Sequence, residues 1–115
     1  KARFEEIFRR GNADGVRVEA KRIGERPCMG SVDPEAQERL ASLCETIVSR
    51  RSGVATRRIS SSTDCNVPLS LGIPAVCISA CDGGGMHTRD EFLVKESLPK
   101  GLEIAIETAL TLAKE

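Results

Sequence analysis

Two short stretches hold the residue types that do chemistry. Ser61-Ser62-Thr63-Asp64-Cys65-Asn66 gathers hydroxyls, a carboxylate, a thiol and a carboxamide. Gly83-Gly84-Gly85-Met86-His87-Thr88-Arg89-Asp90-Glu91 holds the single histidine of the chain. A neutral imidazole is the commonest zinc ligand, and glycines ahead of it let backbone amides approach an anionic group. Each stretch also has an ordinary reading. A histidine beside a glycine-rich loop serves as a surface or capping residue, and Ser-Thr-Asp before a short helix caps that helix. In the functional reading Asp64 and its neighbours line a polar pocket beside His87. The local residues leave both readings open.

The five cysteines, Cys28, Cys44, Cys65, Cys77 and Cys81, add two alternatives. Cys77, Cys81 and His87, with Cys65 as a fourth donor, form a set for structural zinc. Against this, the spacing is not Cys-x-x-Cys, and Cys77 sits in an apolar run that would bury it as a small hydrophobe. Cys65 with His87 makes a nucleophile–base dyad, but no oxyanion hole accompanies it. The triple glycine fits neither Gly-x-Gly-x-x-Gly nor the Walker pattern, so a nucleotide loop is dropped. An odd cysteine count, with spacings unlike a stapled secreted scaffold, leads us to expect mostly buried thiols in a reducing cytoplasm.

The elements that position these stretches follow from periodicity. Phe4, Ile7 and Phe8 make one helical stripe over residues 1–10, stopped by Gly11-Asn12 and Asp14-Gly15. Val16, Val18 and Ala20 alternate with charged residues as in a half-solvated strand, and Gly24 to Gly30 reads as a linker. Asp33-Pro34 starts, and Gly53 stops, a long helix whose buried stripe is Ala36, Leu40, Leu43, Cys44, Ile47 and Val48. Val54 to Ile59 is a candidate short strand, and Asn66 to Leu71 a brief helix. Ile73 to Ile78 is a continuous apolar run of the kind that forms an interior parallel strand, covered on both faces. Ala80 to Thr88 is then a loop at its carboxyl end. Ser97 caps a last helix with Pro99 in its first turn and Leu98, Leu102, Ala105, Ala109 and Leu112 as its buried stripe.

From Asp33 on, helix, strand, loop and brief helix, strand, loop, helix is the rhythm of an α/β fold with parallel pairing, where ligands sit beyond the carboxyl ends of strands. The 115 residues make one modest core. Seventeen basic residues balance seventeen acidic ones, so no net field recruits nucleic acid or an anionic membrane. Arg9-Arg10, Arg50-Arg51 and Arg57-Arg58 read as solvated helix ends, since only Phe4, Phe8 and Phe92 are available to stack on bases. No apolar run approaches the ~20 residues of a membrane span.

Residues 62–76, Ser-Thr-Asp-Cys-Asn-Val-Pro-Leu-Ser-Leu-Gly-Ile-Pro-Ala-Val, resemble the "STDAN-PLSLGIPAV" stretch of the M-twenty family of zinc metallopeptidases. Gly83-Gly84-Gly85, His87-Thr88 and Glu91 resemble that family's "GGG-x-HT-x-x-E" segment, at the matching distance. The family includes peptidase T, glutamate carboxypeptidases, aminoacylases and succinyl-diaminopimelate desuccinylase. The likeness covers residues 31–115, and residues 1–27 are similar to the end of the family's lid domain.

That resemblance implies an α/β fold: part of a parallel-sheet zinc-hydrolase domain over residues 28–115, preceded by the end of a ferredoxin-like lid domain at 1–27. It implies a hydrolase with two zinc ions and a metal-activated water, cleaving an amide bond in peptides or N-acyl amino acids. His87 corresponds to the last metal ligand. Asp64 corresponds to an aspartate in the substrate-binding region of the active site, and its neighbours Ser62, Thr63 and Asn66, with the Gly83, Gly84 and Gly85 backbone, match positions near the substrate's carboxylate. Glu91 supports His87 from behind. The segment around Cys77, Cys81 and the glycines leans toward peptidase-T-like members.

The chain departs from the family in one large respect. The other ligands, the bridging Asp and the general-base Glu lie before the lid domain in the family, and a catalytic zinc needs about three protein ligands. Here there is one histidine. With its opening at Lys1 inside a helix, the chain is expected to be the C-terminal piece of a longer enzyme, inactive and without tightly held zinc on its own. Uncovered sheet edges are expected to drive association with itself or with the missing part. A non-catalytic α/β binding domain and the structural-zinc domain are the alternatives.

Overall fold

A computed structural model describes residues 2–13 and 16–114. The order is α1 (Ala2–Ala13), α2 (Pro34–Ser52), α3 (Asn66–Ser70), β1 (Gly83–Gly84), β2 (Phe92–Leu93), a 3-10 turn at Lys95–Ser97, and α4 (Leu98–Leu112). The fold is mixed α/β, with a small two-stranded sheet.

The centre of the structure is the α2–α4 pair. Asp33 caps α2 by accepting the Glu35 N–H on its carboxylate at 3.0 Å, and Pro34 fits the first turn, where no N–H is needed. Gly53 ends it at φ 74°, its N–H reaching Ser49 O at 2.9 Å. The expected stripe on α2 faces inward: Cys44 and Ile47 are 4% and 3% exposed, and Ala36, Leu40, Leu43 and Val48 are half-buried. From α4 the inward line is Gly101, Ile104 and Thr108, not Leu98, Leu102, Ala105, Ala109 and Leu112, which are exposed. Two features rotate the helix this way. Gly101 lies so close to the chain at Ala80 that a Cβ there would sit 1.6 Å from the Ala80 carbonyl oxygen. Glu103 and Glu107 are drawn toward Arg50 and Arg51 at the end of α2. The charges of α4 therefore run along α2, and its outer face shows Leu98, Leu102, Ile106 and Leu110, four residues apart.

The strands expected at Val16–Ala20, Val54–Ile59 and Ile73–Ile78 are unpaired coil. A strand exists only if a neighbour takes its backbone hydrogen bonds, and among the described residues side chains take that place. The Gln37 carboxamide donates to Ala75 O at 3.0 Å and accepts from Ala75 N–H at 2.9 Å, as an adjacent strand would. Asn12 does the same for Val18, at 3.3 and 2.8 Å. Thr56 is held by Ser49, and Arg58 is clasped by Glu38, Ser42 and Glu45. Without sheet neighbours Ile73 and Cys77 are exposed rather than covered on both faces. The sheet that does form is antiparallel, with Gly83 opposite Leu93 and Gly84 opposite Phe92.

α1 runs through Gly11-Asn12 instead of stopping there, and its Phe4 and Ile7 are exposed; the Asp14-Gly15 turn lies outside the described residues. α3 forms where a brief helix was expected. Ser97 adopts helical angles and does not cap α4. The 3-10 turn feeds straight into the helix, which frees the Ser97 hydroxyl to accept from Asp82 N–H at 2.8 Å and donate to Val94 O at 2.6 Å.

The arrangement is open. The radius of gyration is 19.8 Å, against about 13 Å for a compact domain of this length. The accessible surface of 9545 Å² exceeds by roughly half the ~6,100 Å² of a compact monomer of this mass. No described helix is long and apolar enough to cross a membrane.

Candidate functional site

The glycine stretch is a β-hairpin, not a loop trailing a parallel strand, and His87 stands in its connection. Each glycine has a packing reason to be there. A Cβ on Gly83 would lie 2.5 Å from Phe92 O, one on Gly84 2.8 Å from the Phe92 ring, and one on Gly85 2.7 Å from Asp90 O. The glycines let the returning arm close on the outgoing one. Thr88 tightens the turn through Gly85 O, which accepts its N–H at 3.0 Å and its hydroxyl at 2.6 Å. At the base, Val94 N–H donates to Asp82 O at 2.9 Å, so the hairpin is anchored to Ser97 and the start of α4.

His87 is exposed and takes φ 65°, the one non-glycine with positive φ among the described residues. Its backbone N–H donates to Glu91 Oε2 at 3.1 Å. Glu91 thus supports the main chain of His87; the expected support of the imidazole is not what this contact provides.

The second stretch is built on the start of α3. Thr63 O accepts Asn66 N–H at 3.0 Å, and Asn66 Oδ1 accepts Thr63 N–H at 3.0 Å, a reciprocal pair that closes the turn ahead of α3, whose N-cap Cys65 makes no side-chain cap bond. Asp64 points into solvent, with Oδ1 3.1 Å from Arg26 Nη1. Ser62 is exposed, Thr63 half-buried. Sequence reasoning missed Arg26, Gln37 and Asn12. Their partners lie 6 to 38 positions away, and no local spacing signals them.

The two stretches are not brought together. α3 does not touch the hairpin strands, and among the described residues no hydrogen bond or ion pair links 61–66 to 83–91. A hollow of about 380 Å³ lies between α2, α4 and residues 54–56 and 79–82, lined by Val48, Thr56, Cys81, Asp82 and Lys100 among others, with neither His87 nor Asp64 in its wall. Among the described residues no three His, Cys, Asp or Glu side chains converge as metal ligands do. One imidazole is one donor where zinc needs about three, so these residues alone do not fit a zinc ion. All five cysteines are free thiols; Cys28 and Cys77 are exposed, Cys44 is buried, and burial pushes its thiol pKa up.

Ionisation is moved along the α2 surface and its seam with α4. The Arg51 guanidinium, with Arg50, holds the Glu107 carboxyl below its ordinary value, and Glu107 in turn raises Arg51. Arg58 lowers Glu38, aided by Ser42.

No protein-family model matches this chain, and neither does any curated protein or solved structure.

Proposed function

We propose that the chain is the C-terminal part of the catalytic domain of a zinc-dependent peptidase or amidohydrolase of the M-twenty type, with residues 1–27 ending its lid domain. The observation that carries this reading is His87. Gly85 fills one left-handed position of the hairpin connection at φ 65°, and the second holds a histidine. That backbone costs an L-residue roughly 1–2 kcal/mol, and strained side chains gather at functional sites. An exposed imidazole in a hairpin connection is presented outward, as a donor to a metal completed by other residues.

In this reading the remaining ligands and the general-base glutamate come from residues outside this chain. Bound metal would supply carbonyl polarisation and an activated water. Within the chain His87 donates an imidazole nitrogen, and the exposed Ser62 and half-buried Thr63 hydroxyls are donors for a substrate carboxylate. The uncharged outer face of α4 and the excess surface support the same reading. They are what the rest of such a domain would cover.

The test is hydrolysis by the open reading frame that contains these residues, taken to its full length. Peptides and N-acyl amino acids are the substrates. Activity is expected to vanish with a chelator, return with zinc, and be lost in His87→Ala. Zinc-dependent hydrolysis that survives His87→Ala overturns the assignment. So does one zinc per isolated chain that is lost in Cys77→Ser or Cys81→Ser, which is the structural-zinc outcome.

A further inference from the structure

Residues 26–31 run beside residues 64–72 through contacts that neither helix packing nor the hairpin requires. Arg26 pairs with Asp64 at 3.1 Å. Gly30 N–H donates to Leu69 O at 3.0 Å, and a Cβ on Gly30 would lie 2.7 Å from Ser70 O. Gly72, at φ 80°, brings its Cα so near that a Cβ would meet Ser31 O at 3.0 Å. The two backbones meet at Gly30–Ser31 and Leu69–Gly72, and side chains make the contacts ahead of them.

Asn66 is the side chain that joins them. Its Oδ1 accepts Thr63 N–H at 3.0 Å, and its Nδ2 donates to Pro27 O at 2.8 Å. Proline has no N–H, so the Pro27 carbonyl is the only polar group that residue offers to a neighbour. The carboxamide accepts from Thr63 through Oδ1 and donates to Pro27 through Nδ2 at once. A carboxylate in its place accepts but has no hydrogen to donate.

We infer that Asn66 is a positioning residue: it fastens the linker Arg26–Ser31 to the start of α3 and thereby fixes the direction in which the chain before the linker leaves the helical part. The inference stands on these contacts and does not rest on the hydrolase reading. It assigns one of the two Asn66 amide hydrogens to the linker, so a ligand at 62–66 meets a carboxamide already held in place.

The experiment compares backbone amide exchange by NMR in the whole chain, Asn66→Asp and Asn66→Ala. At neutral pH aspartate keeps the acceptor for Thr63 N–H but has no hydrogen for Pro27 O. In Asn66→Asp the Gly30 amide is expected to exchange roughly five- to tenfold faster, the loss of one such hydrogen bond, while Thr63 stays within about twofold. In Asn66→Ala both amides speed up. Gly53, bonded to Ser49 O, reports α2 and is expected to be unchanged in both variants. The inference is overturned if Gly30 keeps its wild-type rate in Asn66→Asp. It is equally overturned if Gly53 accelerates in step with Gly30, since Asn66 would then serve folding in general.

Discussion

Glu91 accepts the backbone N–H of His87 on Oε2 at 3.1 Å, so the carboxylate closes the hairpin connection from inside and leaves the imidazole free. Glutamine retains an acceptor at that place and alanine does not. Heteronuclear NOE values across Gly85–Asp90 are therefore expected to hold in Glu91→Gln and to fall in Glu91→Ala. Equal losses in both would mean that the charge, not the acceptor, orders the turn.

The φ of 65° at His87 gives a second expectation. Glycine removes a left-handed strain of roughly 1–2 kcal/mol and loosens the unfolded chain by less, roughly 0.4–1 kcal/mol. Alanine keeps the strain. His87→Gly is expected to be more stable than His87→Ala by about 1 kcal/mol in urea unfolding. Coincident midpoints would show that the connection relaxes when the imidazole is gone.

What the sequence disclosed and what it hid divide along one physical line. α2 was legible because its caps and stripe are local: Asp33, Pro34, Gly53 and the line through Cys44 and Ile47 all act within a turn or two. α3 and α4 are legible as helices, although Ser97 does not cap α4 and α3 has no side-chain cap. The strand-like runs were read as strands because their composition asks for neighbours, but composition does not say who the neighbour is. For Ala75 it is Gln37 and for Val18 it is Asn12, single carboxamides in place of a strand. The face of α4 was misread because apolar periodicity marks Leu98 and Leu102 as buried. Ion pairs to Arg50 and Arg51 and the fit of Gly101 on Ala80 decide otherwise. At the candidate site the motif residues were legible one by one. The hairpin that holds His87, and the use of Asn66 on the linker, depend on contacts across the chain.

Gly101 carries a sharp test. In an exposed helix, glycine to alanine stabilises by about 1 kcal/mol. Here the new Cβ would fall 1.6 Å from Ala80 O, and α4 must move away from residues 79–82. Gly101→Ala is expected to destabilise by roughly 1–3 kcal/mol, the range for overpacking. A raised urea midpoint would contradict the close approach.

The α2–α4 seam titrates. Glu107 sits below its ordinary pKa because Arg51, then Arg50, favours its charged form. A carboxyl with a depressed folded pKa adds stability above its unfolded value of about 4.3, and that stability is lost as pH falls through the folded value. Glu107→Gln is expected to melt lower than wild type at pH 7 and to converge with it only in acid, as the pH falls through the lowered folded value. Added salt should narrow the difference at pH 7, because the pair is partly exposed to solvent. A gap that is the same at acid and neutral pH would assign the effect to packing.

The cysteines separate by burial, and their reactivity should follow. The thiolate is the nucleophile in alkylation, so a thiol must both ionise and be reached. Cys44 fails on both counts: it is 4% exposed between α2 and α4, and burial raises its pKa. Cys28 and Cys77 are exposed, against the expectation that the thiols are mostly buried. With iodoacetamide at pH 8 and peptide mass spectrometry, Cys28 and Cys77 are expected to label first, Cys65 and Cys81 later, and Cys44 only when urea opens the core. Protection of Cys77 equal to that of Cys44 would place residues 73–78 inside a covered sheet after all. Added zinc that shields Cys77 and Cys81 together would instead restore the structural-zinc arrangement.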